Sequence, residues 1–167
     1  MRIILAGLTT IFLAGLCALP GLAQSSTSNR DVVVENAWTR ASLDVGGAVG
    51  VYFTLRNKGE KTVDLIGVRA DVASIEVLHR TEDDAYGAIR MRAVPELRVA
   101  PGAIIALEPG GTHMMLIDLE KPLIEGETLR LRLAFYDGDK LSVDVPILAA
   151  DATGPQDPAN FGALSSD

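Results

Sequence analysis

A single cysteine stands in this chain of 167 residues, at position 17, inside the only long apolar run. Past that run, no stretch approaches the roughly 20 apolar residues that a membrane-spanning helix needs. Aromatic residues are scarce at 5%, with one tryptophan, and only two histidines occur, His79 and His113. Lys and Arg number 15 against 22 Asp and Glu, with no basic stripe, so nucleic acid is not an expected partner. No Gly-x-Ser-x-Gly nucleophile motif occurs, and the carboxylates are scattered over strand and turn positions without an acid–base pair. An enzyme is therefore not expected.

The apolar run reads as a leader. Arg2 gives a short positive start, and Ile3 to Leu19 is apolar apart from Thr9, Thr10 and a few glycines. Pro20 then breaks the run before the small-x-small pattern Gly21-Leu22-Ala23. This order predicts a signal peptide over residues 1–23, with a retained membrane anchor as the rival reading. Lipid attachment at Cys17 is disfavoured, because bulky Leu16 stands where a small residue is wanted. Cleavage after Ala23 leaves 144 residues, enough for one domain, and removes Arg2, taking the net charge from −7 to −8. It also removes the cysteine, which suits an oxidising compartment and leaves the core to hold without disulfides. The mature chain is expected to be periplasmic or secreted, with no stable membrane insertion.

Residues 24–30 read as a flexible Ser/Thr/Asn linker, and from Asp31 the texture is β. Val49, Val51, Phe53 and Leu55 alternate with Gly50, Tyr52, Thr54 and Arg56; Leu129, Leu131, Leu133 and Phe135 alternate with Arg130 and Arg132. An Asp137-Gly138 turn between apolar strands signals a hairpin. Eight or nine short strands over residues 31–148 predict an all-β, Greek-key sandwich or barrel. Residues 149–167 are Asp-, Gly-, Pro- and Ser-rich and are expected to be a disordered tail.

What is present is concentrated. Once the leader is set aside, His79, Met91, His113, Met114 and Met115 are all the histidines and methionines, and all lie between residues 79 and 115. In a strand, residues two apart share a face about 7 Å apart, so His113 and Met115 project together while Met114 faces a core. His79 is expected near the end of the strand Ser74–Thr81, and Met91 on an element with one wet face between Arg90 and Arg92. Thioether and neutral imidazole form a soft, uncharged donor set that selects Cu(I) over zinc, magnesium or calcium. A blue-copper site needs a thiolate that the mature chain lacks. Trp38 is expected in the core, Arg90 and Arg92 on a solvated face, and Glu82-Asp83-Asp84 in a soluble turn.

The spacing of His79, eleven residues, Met91, twenty-one residues and His113-x-Met115 resembles the motif of the periplasmic copper chaperone family called PCuAC. Ala37-Trp38-Thr39-Arg40-Ala41, Val51-Tyr52-Phe53, Pro109 to Leu116 and Lys121-Pro122-Leu123 resemble it too, so that the likeness covers nearly all of Val32 to Ile147. The resemblance implies a cupredoxin-like sandwich binding one Cu(I) through His79, Met91, His113 and Met115. It implies a chaperone that passes copper to an oxidase subunit, or to a thiol-bearing assembly factor, for cytochrome c oxidase; the chain is expected to be a monomer. The tail has neither His nor Met, which argues against a second copper site. The competing reading is a metal-free extracytoplasmic sandwich serving adhesion or assembly.

Overall fold

The computed structural model describes residues 31–83 and 86–155; the expected leader (1–23), linker (24–30) and last twelve residues of the tail lie outside them. Ten strands form: β1 (Val32–Arg40), β2 (Ala48–Asn57), β3 (Val63–Ala70), β4 (Ala73–Asp83), β5 (Ile89–Ala93), β6 (Leu97–Val99), β7 (Ile104–Leu107), β8 (Thr112–Leu119), β9 (Thr128–Phe135) and β10 (Lys140–Leu148). The fold is all-β, as the alternation predicts. One strand exceeds the expected count. β6 has three residues, too few for a period of two to register in a sequence.

The strands pair in the order β5-β4-β8-β2-β1-β10-β9-β3-β6, with β7 also on β2. A short parallel contact, Thr39 with Ile147 and Arg40 with Leu148, joins the two halves of this order. Folded over each other, the halves enclose one core, with Val51, Phe53, Leu55, Met114 and Leu116 from one layer and Leu65, Leu131, Leu133, Phe135 and Val145 from the other. The Leu/Arg alternation of β9 resolves as predicted: the leucines are buried, and Arg130 reaches Asp144 of β10 at 3.0 Å on the outside. The Asp137-Gly138 hairpin is present, with Gly138 at φ 88° and the Phe135 N–H donating to the Asp139 carbonyl at 3.0 Å.

One irregularity decides which face carries which residue. β1 and β2 pair as Val34 with Leu55 before a register shift and as Trp38 with Tyr52 after it. The shift falls at Asn36, whose φ of 53° is a left-handed conformation that Asn tolerates better than most residues. Val32 and Val34 thus point into the core and Trp38 points out of it. Trp38 is buried, as expected, but it packs on the outer side of the sheet and not in the main cluster.

Past β10 the described chain runs to Pro155, where the Arg40 Nε–H donates to the Ala152 carbonyl at 2.7 Å and the Ala152 N–H to the Ala149 carbonyl at 3.0 Å.

Candidate metal centre

Strand β2 changes partner along its length, pairing with β8 through Ala48–Val51 and with β7 through Phe53–Arg56. The chain between those partners is the tight Pro109-Gly110-Gly111 turn, with Gly110 at φ 82° and the Gly111 N–H donating to the Glu108 carbonyl at 3.1 Å. His113 follows this turn as the second residue of β8. Across the sheet it stands directly opposite His79 of β4. His79 is therefore in mid-strand, because β4 runs on to Asp83 to form a hairpin with β5; the expected strand-end position is corrected.

Directly opposed residues share a face, so the two imidazoles meet on the outer surface, edge to face with ring centroids 6.2 Å apart. His113 is 5% exposed, and its Nδ1 lies 3.0 Å from the Gly111 carbonyl. A carbonyl only accepts, so this contact places the proton on Nδ1 and leaves the Nε2 lone pair free. Gly111 is itself held, its carbonyl also accepting the Thr81 N–H at 3.3 Å. His79 differs: its Nδ1 is buried and has no hydrogen-bond partner. Burial first, and the neighbouring His113 second, hold its pKa below the ordinary histidine value, so the ring favours its neutral form.

The methionines divide. Met115 pairs with Val77 and Gly50, which puts it on the outer face, diagonal to His79 and two residues from His113. Met91 pairs with Thr81, so it shares that face, but it lies on edge strand β5 and is 61% exposed. On an untwisted sheet the two methionine Cα atoms would stand about 16 Å apart, on opposite diagonals of His79. The register thus gathers His79, His113 and Met115, and leaves Met91 at the rim. Met114 is fully buried in the core, as its alternation predicts. Arg90 and Arg92 are exposed, with Arg92 3.6 Å from Glu82.

Beside His113 stands a layer in which Trp38 is the one residue that sequence reasoning weighs as a functional aromatic near the site, setting it in the core instead; Tyr52 and Arg40 were not singled out. The Tyr52 ring lies 6.4 Å from His113 and 4.6 Å from Trp38. The Arg40 guanidinium covers both aromatics at 5.2 and 5.5 Å and donates to the Tyr52 hydroxyl at 3.1 Å. The Tyr52 hydroxyl occupies the space that a side chain at Gly50 would need. This wall closes the β1 side of the histidine pair. Asn36 was the one available signal, as a residue able to turn β1 over.

Among the described residues, no group of three or more His, Cys, Asp or Glu side chains is placed to hold a metal ion. Further donors to an ion at the histidine pair would be thioethers.

A family profile described as "Putative lipoprotein LpqE-like" matches residues 32–147. "Putative lipoprotein Lxx21020" of Leifsonia xyli subsp. xyli (strain CTCB07) is 32% identical over 151 residues, which span 87% of this chain and 90% of that protein. The fold is similar to that of the "Apo PCuAC domain from PmoF1", with a TM-score of 0.61 and 25% identity over 71% of this chain and 94% of that one. It is also similar to "CuI-DR1885 from Deinococcus Radiodurans", with a TM-score of 0.54 and 26% identity over 75% of this chain and 85% of that one. The profile spans the sandwich from its first strand to the penultimate residue of its last, and the chain belongs to the LpqE-like family, with the all-β, cupredoxin-like fold of PCuAC domains.

Proposed function

We propose that this protein is an extracytoplasmic carrier of one Cu(I) ion, held by His79, His113, Met115 and Met91, and that it hands the ion on without chemistry of its own. The observation that carries this reading is the buried, unpartnered Nδ1 of His79 beside a second imidazole whose Nε2 is left free. A buried nitrogen without a partner is costly and calls for an occupant. The soft donor that the register brings to that face is the Met115 thioether, and a neutral imidazole–thioether set suits Cu(I). The solved relative in fold whose description includes CuI supports the same choice of metal.

All four donors are neutral, so the loaded site keeps the ion's single positive charge, and a thiolate acceptor would bind it more strongly. That gradient sets the direction of transfer: toward a thiol-bearing assembly factor or an oxidase copper subunit, in the service of cytochrome c oxidase assembly. Met91, exposed on the edge hairpin, would be the last ligand to close and the first to open. The lipoprotein names of the family and of its Leifsonia relative support a place outside the cytoplasm. The mass of the mature chain distinguishes cleavage after Ala23 from a lipid on Cys17.

Titration of the purified protein with Cu(I) and with Zn(II) against a competing chelator tests the reading. One Cu(I) per chain is expected, with Zn(II) bound far more weakly at the same residues. Equal affinity for the two ions would overturn it.

A further inference from the structure

Two rows of side chains cross the outer surface from β1 to β4. Trp38, Tyr52, His113 and His79 form one, and Arg40, Gly50, Met115 and Val77 the other. The second row has a gap at Gly50, and the gap is filled from the first. The Tyr52 ring leans across it, so that its hydroxyl and the ring carbon bearing it stand where a Gly50 side chain would begin. An aromatic laid over a glycine restores packing that bare backbone lacks, and that much is ordinary sheet stability. The way the ring is held goes further. The Arg40 Nη1 donates to the Tyr52 hydroxyl at 3.1 Å, and the guanidinium lies 5.5 Å from the ring centroid. Arg40 is fixed in turn, its Nε–H donating to the Ala152 carbonyl at 2.7 Å, and Trp38 lies against the Tyr52 ring at 4.6 Å. Beneath the ring, the Thr39 hydroxyl donates to the Gly50 carbonyl at 2.9 Å and fixes the strand. Tyr52 is thereby only 7% exposed on a surface that faces water.

Filling the gap takes room from Met115. That residue pairs with Gly50 on one side and Val77 on the other, with His79 on the diagonal and His113 two residues away. Beside a bare glycine, an unbranched side chain with several rotatable bonds would spread over β2, away from both imidazoles. With Tyr52 in place, the room left to the thioether lies over β8 and β4, the strands that carry the histidines. His113 is bounded in the same way, with the Tyr52 ring at 6.4 Å and the His79 ring at 6.2 Å. We propose that Tyr52, laid over Gly50 and latched by Arg40, is a positioning residue that confines Met115 and the His113 ring to the side of His79 before any metal arrives. The inference rests on the Cu(I) carrier reading and adds to it the residue that prepares the site. Holding donors in place beforehand lowers the ordering cost of ligation and raises affinity without a new contact to the ion.

The test pairs two measurements on the full chain: nuclear Overhauser contacts of the labelled Met115 methyl group without metal, and Cu(I) affinity in a chelator competition. In the metal-free wild type the methyl group is expected to contact the His79 and His113 rings. Tyr52→Leu opens the space over Gly50 and should weaken those contacts severalfold. Its Cu(I) affinity should fall about tenfold, the lower end of what residues orienting metal ligands are worth. Tyr52→Phe keeps the ring and should retain the contacts, with an affinity between those of the wild type and Tyr52→Leu. Arg40→Lys keeps the charge but not the planar fork, so it should weaken the contacts in the same direction as Tyr52→Leu. It also decides the matter if Tyr52→Leu does not fold. Contacts and affinity unchanged in a folded Tyr52→Leu, or in Arg40→Lys, would overturn the positioning role and leave the carrier reading intact. Lowered stability with unchanged contacts would reduce Tyr52 to packing and count against the role equally. A wild-type chain that binds no Cu(I) would overturn the carrier reading, and the positioning role with it.

Discussion

Met114 and Met115 are adjacent and chemically identical, yet they belong to different regions of the molecule. Met114 is fully buried among Val51, Leu78 and the other core residues, whereas Met115 is half-buried on the outer face beside His79 and His113. The two-residue period of a strand is all that separates them. On the inner face a thioether is an adaptable hydrocarbon that fills space; on the outer face the same soft group shares a surface with two imidazoles. Under the proposed function, stability and ligation fall on opposite sides of one strand, and each side is open to change without the other.

The largest effect expected from breaking that division is at the core. Met114→Ala should cost about 2–5 kcal/mol of unfolding free energy, measured by urea denaturation, while the folded protein keeps its Cu(I) affinity. Gly50→Ala comes next, at about 1–3 kcal/mol, because the new methyl group would displace the Tyr52 hydroxyl. It should also change the fluorescence of Trp38, the chain's single tryptophan, whose ring lies tilted against Tyr52 at 4.6 Å. Met115→Ala should leave stability within about 1 kcal/mol and lower Cu(I) affinity at least about tenfold, or ~1.4 kcal/mol, in a chelator competition.

The smallest effect is the pH response of the metal-free fold. The His79 pKa lies below the ordinary value, so the folded state resists a proton that the unfolded chain accepts. Its contribution to stability is complete above the unfolded pKa of about 6.5 and declines as the pH falls below that value. His79→Gln should flatten this dependence in urea unfolding measured between neutral and mildly acidic pH. In the loaded protein, the same depression means that the His79 ligand should hold its metal into mild acid further than an ordinary histidine would.

Alternation made nine strands legible, together with the inward methionine and the outward His113–Met115 pair. β6 escaped because three residues between Pro95 and Pro101 show no period. Trp38 is buried as expected, but its face was not legible, because a single left-handed residue, Asn36, shifts the register of β1, and nothing in a period-two pattern records such a shift. The pairing of His79 with His113 is a contact across 34 positions of sequence, and no local pattern contains it. Their clustering between residues 79 and 115 and the resemblance of spacing joined those residues beforehand. The wall of Tyr52, Trp38 and Arg40 depends on the same register shift, and so it became visible only in three dimensions.

The central claim is that the outer face offers two imidazoles and thioether sulfur to one copper ion. X-ray absorption at the copper edge of the Cu(I)-loaded protein tests it most directly. The account predicts a nitrogen shell near about 2.0 Å and a sulfur shell near about 2.3 Å, with the sulfur amplitude reduced in Met115→Ala. A spectrum containing nitrogen and oxygen alone, or a sulfur shell that Met115→Ala and Met91→Ala both leave unchanged, would contradict it.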